Sequence, residues 1–353
     1  MGAGHARRPS RAGERSRRRR APAAARRRRR RRRHRRRGAR AGAIVSAGPR
    51  VVVVGGPTAG GKSALALALA RRLGGEIIGA DSRQLYAGLA VAAAGPGDDE
   101  RALVPHHLYD TVPPTETLSA GRYVALADRA IAEVVGRGRV AIIVGGTGLY
   151  LRALRVGLDD ALPADAALRA RLEQDRRAHG LPALVERLRA VAPDAVVELD
   201  VQNPARVVRA LELALLGADV GGRDGAALLA RPPRPIVAEA RWLLVSRPPA
   251  ALARRIDARA AALFATPAIV DEACALAALL PVDHPLLATI GVAEALAVAR
   301  GVLDVAAAAT QTATRTRQYA RRQRTWFKKE PWWTPIRGDD DDHAVDVALG
   351  VAR

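Results

Sequence analysis

The apolar positions of the chain follow two rhythms. Val51-Val52-Val53-Val54 is an unbroken β-branched run, suited to a strand buried on both faces. Glu76–Ala80, Val140–Val144 and Trp242–Val245 read as further strands. Between them the apolar residues take helical spacing. Ser63-Ala-Leu-Ala-Leu-Ala-Leu-Ala70 is built from strong helix formers, and Ala120–Val135 continues the pattern. Strands alternating with helices predict an α/β fold, a parallel sheet flanked by helices on both faces.

The rhythm changes at Pro163. Up to about Arg231 there is no clear strand, and Leu168, Leu172, Leu184, Leu188, Val207 and Leu211 recur at helical spacing. We read 49–162 as the first part of the sheet core and 163–235 as a helical insertion, with the Pro-rich stretch Arg231–Pro235 returning the chain to the sheet. Residues 236–338 complete the core, mostly as helices from 250 to 330. Residues 339–353 form a tail whose acid run, Asp339–Asp342, is expected to be a solvated end.

Charge alters this picture at one place. Residues 1–50 hold 21 of the 58 Lys and Arg and one of the 35 Asp and Glu, so they carry +20 of the net +23. Such an Arg-rich block repels itself and buries nothing, so 1–48 is expected to be a disordered extension, either an RNA-binding arm or a dispensable one. The other 303 residues are nearly neutral, and RNA affinity there needs a local basic patch. The one cysteine, Cys274, excludes an intramolecular disulfide, no Cys/His metal cluster is present, and the apolar runs are too short to span a membrane. A cytoplasmic setting is expected.

Gly56-Pro57-Thr58-Ala59-Gly60-Gly61-Lys62-Ser63 matches G-x-x-x-x-G-K-[ST] between a strand and a helix. Its backbone N–H groups can converge on phosphate oxygens at a helix N-terminus, Lys62 adds a mobile charge, and Ser63 can ligate Mg2+. The loop selects a diphosphate or triphosphate and does not choose between them. Asp81 follows an apolar strand and could hold magnesium, so a nucleotide-binding, kinase-like reading stays open at this point.

Five motifs then occur in order: the loop, Asp81-Ser82-Arg83-Gln84-Leu85-Tyr86, Pro105-His-His-Leu108, Gly145-Gly-Thr147-Gly-Leu-Tyr150, and Thr316-Arg-Gln-Tyr-Ala-Arg321-Arg322-Gln323-Arg-Thr-Trp-Phe327. Together they resemble the tRNA dimethylallyltransferase (tRNA isopentenyltransferase) family over roughly 51–335. The resemblance implies a P-loop NTPase-like sheet with a tRNA-contacting helical insertion. It implies transfer of a dimethylallyl group from dimethylallyl diphosphate to N6 of the adenosine 3′ of the anticodon, with Mg2+ as cofactor and the tRNA anticodon stem-loop as partner. It implies Asp81 as general base, Lys62 and Thr147 as catalytic partners, and Gly56 to Ser63 with Arg255 as the diphosphate site. Asp81, Ser82, Arg83, Gln84, Thr147, Arg169, Arg206, Arg209, Arg321, Arg322, Gln323 and Lys328 would face tRNA. A monomer is expected.

The C-terminal motif is informative by itself. Five of the chain's 11 aromatic residues, Tyr319, Trp326, Phe327, Trp332 and Trp333, lie among the basic residues from Arg315 to Lys329 or just beyond them. That mixture suits phosphate contact and base stacking, and equally an amphipathic helix with its aromatics turned inward. The chain departs from the family pattern at Ala205, where a glutamine is usual, at Ala288, Val292 and Ala293, and at Ala92-Ala-Ala-Gly-Pro96. These changes are expected to thin the RNA contacts and leave the transfer chemistry intact. Two alternatives stand beside this reading: an enzyme that prenylates free adenine nucleotides, and a non-catalytic RNA-binding descendant. The insertion argues against the first, and retention of Lys62, Ser63, Asp81 and Thr147 against the second.

Overall fold

Strand β1 (Val51–Gly55) lies inside the sheet, flanked by β4 (Val140–Gly145) and β5 (Arg241–Ser246). The computed structural model describes residues 49–157, 165–219, 237, 240–338 and 341–350. The Arg-rich segment 1–48, the Pro-rich stretch 231–235 and the start of the acid run, 339–340, lie outside the described residues. With β2 (Gly75–Gly79), β3 (His106–His107) and β6 (Thr334–Arg337), the described residues form a six-stranded sheet in the order β3-β2-β4-β1-β5-β6. Every pairing is parallel.

The β-branched runs explain the layers. Val52 and Val54 point to one face, where they join Leu65, Ala66, Leu69 and Ala70 of α1 (Lys62–Leu73) in one core. Val53 points to the other face, into a larger core with Tyr123, Ala127 and Ile131 of α4 (Ala120–Gly136). Both faces of the sheet are thus apolar, which is why these strands read as continuous runs. The α/β expectation holds.

Two strands escaped the sequence pattern. β3 has two residues, and β6 contains Pro335. Edge strands tolerate both features. His107, in the Pro-His-His-Leu motif, pairs at 2.7 Å with Glu76, whose other partner is Arg137 at 2.7 Å. The Arg137 hydrogen bond, with help from His107, holds the Glu76 carboxyl below the usual range against its burial. The motif therefore ties an edge of the sheet.

The expected tail also differs. Asp341–Leu349 forms a helix, α13, that buries Ala344, Val345 and Ala348 against the α1 face, while Asp342 pairs with Arg72. The acid run masked this apolar stripe.

Between β2 and β3 lie the short helices α2 (Ala90–Ala93) and α3 (Asp98–Leu103). Helix α5 (Gly148–Val156) follows β4. Then α6 (Ala166–Val191), broken at Gly180, α7 (Pro193–Glu198) and α8 (Pro204–Asp219) form a helical segment with its own core of Leu172, Leu184, Leu188, Val207 and Leu211. After β5 come α9 (Pro249–Leu263), α10 (Ala268–Leu279), α11 (Val292–Ala299) and α12 (Val305–Phe327). Among the described residues no single helix is long and apolar enough to cross a membrane; α9 and α10 approach that composition only as a pair bent by 73°.

Candidate active site

The carboxyl ends of three neighbouring parallel strands converge, as ligand sites in open α/β sheets do. β1 delivers the Gly-rich loop, β2 delivers Asp81, and β4 delivers Gly146-Thr147. The turns pack closely. A Cβ on Gly145 would lie 2.0 Å from the Ala80 carbonyl oxygen, so only glycine permits the approach. The Ser82 N–H donates to Thr147 Oγ1 at 2.9 Å and joins the two turns. Asp81 Oδ1 accepts from the Arg83 N–H at 2.9 Å, which fixes the carboxylate's direction.

The loop itself is braced from three sides. Gly61 has φ 104° and ends the loop where α1 begins. Arg255 Nε on α9 donates to the Ala59 carbonyl at 2.9 Å. Arg247, just after β5, donates to the Gly60 carbonyl at 2.8 Å. Gln323 on α12 accepts from the Thr58 N–H at 2.8 Å and donates to the Gly146 carbonyl at 2.9 Å. Gln323 is 6% exposed. The expected RNA contact from Gln323 is therefore corrected: both ends of its amide are spent inside the protein, linking the loop to the β4 turn.

Two connected hollows lie at this convergence. The smaller, about 170 Å³, is lined by the loop from Thr58 to Ser63 with Asp81, Arg255 and Arg259. The larger, about 370 Å³, shares Thr58, Asp81 and Arg259 and extends between α9, α12 and the turn at Ala288–Ile290. Lys62 Nζ rests 2.8 Å from the Pro57 carbonyl. Burial pushes its pKa down to about 8; the negative charge of Asp81 opposes that, and Arg259 adds to it. Arg259 is also shifted down by burial, with Asp81 pulling the other way. Two cations and one carboxylate, all half-buried, thus share a small space. That arrangement accepts an anion with more charge than one carboxylate supplies.

Arg259 escaped the sequence pattern. It stands one helical turn after Arg255, so the i, i+4 spacing carried the signal. Arg247 carried no comparable signal, because its role comes from a loop contact 187 residues away.

The remaining site expectations divide. Ser63 is exposed at the start of α1 and lines the smaller hollow. Ser82 and Arg83 line the larger one. Gln84 Nε2 donates to the Ala94 carbonyl at 2.8 Å and the Ala93 carbonyl at 3.1 Å, capping α2 rather than projecting as a free reader. Arg321, Arg322 and Lys328 lie on or just beyond α12; Arg321 and Lys328 are exposed, and Arg322 stacks 5.8 Å over Tyr319. Burial and the Asp81 charge push the Tyr319 hydroxyl up to about 12. Arg169 and Arg209 converge on the fully buried Glu212 at 2.6 and 2.8 Å. Burial raises the Glu212 pKa, but the two guanidinium hydrogen bonds outweigh it and hold the carboxyl below its ordinary value. Arg206 is exposed, 3.7 Å from Asp200. Val292 is fully buried in the core, so a polar contact to RNA is not what that position supplies. Ala205 and Ala288 are exposed.

The fold and the site define a P-loop-like α/β enzyme with a cation-lined hollow beside a larger cavity. The chain belongs to the IPP transferase family, whose profile matches residues 84–330. It is 48% identical to a tRNA dimethylallyltransferase of Anaeromyxobacter sp. (strain Fw109-5), over 85% of this chain and 99% of that one. Among solved structures it resembles the tRNA isopentenylpyrophosphate transferase of Bacillus halodurans, at 30% identity and TM-score 0.58, covering 84% of this chain and 92% of that one. A eukaryotic dimethylallyltransferase acting on tRNA shares the fold at 23% identity and TM-score 0.71, covering 85% of this chain and 77% of that one.

Proposed function

We propose that the chain transfers a dimethylallyl group from dimethylallyl diphosphate to N6 of the adenosine 3′ of the anticodon in tRNA, releasing diphosphate. The observation that carries this reading is the pairing of the two hollows at Asp81. One presents backbone N–H groups, Lys62, Arg255 and Arg259, and suits a leaving diphosphate. The other is large, partly apolar and edged by Arg83, Arg315 and Arg322.

The reaction breaks the bond between C1 of the prenyl group and the bridging oxygen and forms a bond from N6 to C1. N6 is a poor nucleophile, because its lone pair is delocalised into the ring. Asp81, directed by the Arg83 N–H, accepts the N6 proton. Lys62, Arg255 and Arg259 meet the charge that grows on the diphosphate. The Thr147 hydroxyl, holding the Ser82 N–H, keeps the two turns in register. The adenine must leave the anticodon-loop stack to reach Asp81. Ser63, whose hydroxyl lies at the start of α1 beside the smaller hollow, would hold magnesium together with oxygens of a bound diphosphate, and the ion would supply further charge neutralisation. A cytoplasmic setting and a monomer complete the proposal.

The test is incubation with labelled dimethylallyl diphosphate and either tRNA or adenosine monophosphate. Label in tRNA alone supports the reading. Label in the free nucleotide alone supports the small-acceptor alternative, and label in neither overturns both.

A further inference from the structure

A phosphate loop works by turning peptide N–H groups inward, and a trans peptide then turns its carbonyl outward. A buried carbonyl turned outward needs a donor of its own, because leaving it unpaired is costly. Gly60 is buried, and its carbonyl finds that donor in Arg247 Nε at 2.8 Å. The same guanidinium donates through Nη2 to the carbonyl of Gly338, the residue after β6. Arg247 lines neither of the hollows at Asp81, so it touches the loop from behind. We infer that Arg247 and Gly338 are positioning residues for the donor, holding the Gly60–Gly61 peptide so that the Gly61 N–H faces the diphosphate. The inference rests on the transfer reaction proposed above, and it adds the end of β6 to the donor site.

The packing around Gly338 leaves no room for a side chain. A Cβ there would overlap the Gly60 carbonyl oxygen and would lie 2.9 Å from Val245 Cγ1. A Cβ on Gly61 would lie 2.9 Å from the Gly338 carbonyl oxygen and 3.2 Å from Arg247 Nη2. Loop backbone, the backbone after β6 and the guanidinium are thus in mutual contact with no side chain between them. In a close-packed interior a displacement of one is passed to the others. The Gly60 N–H is spent on the Pro57 carbonyl at 3.1 Å. The amide that the Arg247 contact directs is therefore that of Gly61, which lines the smaller hollow.

The end of β6 is itself anchored. β6 pairs with β5 from Leu243 opposite Thr334 to Ser246 opposite Arg337, and the Gly338 N–H donates to the Ser246 carbonyl at 3.2 Å. Ile336 is fully buried with Leu243 and Val245, in the core that also holds Leu65 and Leu69 of α1. Arg247 thus ties the loop to a fixed strand end.

The test uses Arg247→Met, which keeps an unbranched stem and removes the donors, Arg247→Lys, which restores a cationic donor, and Gly338→Ala. Arg72→Ala is the control, because it breaks the pair with Asp342 in the same C-terminal segment and leaves the loop contact alone. Each protein is checked for folding by its unfolding temperature and titrated calorimetrically with inorganic diphosphate in the presence of Mg2+. Its kinetics are then measured with dimethylallyl diphosphate and tRNA. We expect Arg247→Met and Gly338→Ala to weaken diphosphate binding and raise the donor KM roughly tenfold, with kcat and the RNA KM near wild type. Arg247→Lys should fall between, and Arg72→Ala should match wild type. If Arg247→Met does not fold, Gly338→Ala gives the same readout from the β6 side. The proposal is overturned if a folded Arg247→Met or Gly338→Ala keeps wild-type diphosphate affinity, if Arg72→Ala weakens it equally, or if the RNA KM moves in its place. A wild-type protein that binds diphosphate and prenylates no RNA would sink the transfer reading alone, and the diphosphate titration would still decide this one.

Discussion

In the proposed reaction Asp81 takes the N6 proton. Asp81→Asn keeps the shape and the Arg83 hydrogen bond but cannot take a proton. Turnover should fall about 10²–10⁴-fold with RNA affinity little changed, as read by single-turnover rates and a binding titration. Near-normal turnover would reassign the base. Lys62 gives a prediction in pH. Its pKa near 8 means that the cation is present below that value and lost above it. With Lys62 meeting the diphosphate as proposed, donor affinity should fall as pH rises through about 8 as the cation is lost. In Lys62→Arg the decline should vanish from that range; the same decline in both proteins would contradict the assignment. These two residues were legible because the loop and the Asp-Ser-Arg-Gln run are contiguous motifs. Arg247 was not, since its contact with the Gly60 carbonyl exists only in the folded chain. Gln323 shows the converse. A polar residue among arginines read as a surface contact, and it is buried.

Helix α12 does two jobs on two faces. Thr312, Arg315, Tyr319 and Arg322 line the cavity, while Arg321 is exposed and Phe327 is buried. The basic and aromatic composition was consistent with an RNA surface or an inward-packed helix; the structure buries Phe327 and leaves Arg321 and Lys328 exposed. Gln323 connects this helix to the loop, so Gln323→Leu should leave the Thr58 N–H and the Gly146 carbonyl without their partners. About 1–3 kcal/mol of stability should be lost for an unsatisfied buried group. The donor KM should rise while RNA affinity holds. An RNA defect with an unchanged donor KM would restore the surface role. The sheet's inner strands were visible as apolar runs, but β3 and β6 were not, being an edge strand of two residues and an edge strand containing proline. Helix α13 hid behind its acid run for a similar reason, because three small buried positions make a faint stripe.

Over the whole molecule, charge and fold are separated along the sequence. Nearly all the net charge sits in residues 1–50, while the residues lining the two hollows fall between Thr58 and Arg322. A chain beginning at Pro49 should therefore keep its fold and its rate constants. Its non-specific RNA affinity should drop and depend less on salt, with the slope shallower by about 0.7 for each phosphate that the arm no longer neutralises. Failure of the truncated chain to fold would refute this separation. The helices that carry Leu172, Leu184, Leu188, Val207 and Leu211 were legible from their apolar spacing, because strand and helix patterns differ over tens of residues. The ion pairs of Arg169 and Arg209 with Glu212 were not, since each arginine alone read as a surface contact.

The central claim is that a prenyl group is moved to one atom of one nucleotide. It is tested most directly by digesting tRNA after reaction with dimethylallyl diphosphate and locating the added group by mass spectrometry of fragments and nucleosides. The account predicts a single five-carbon addition, on N6 of the adenosine 3′ of the anticodon, with one diphosphate released per modified tRNA. Diphosphate release with unmodified tRNA, or addition at another atom or another position, would contradict it.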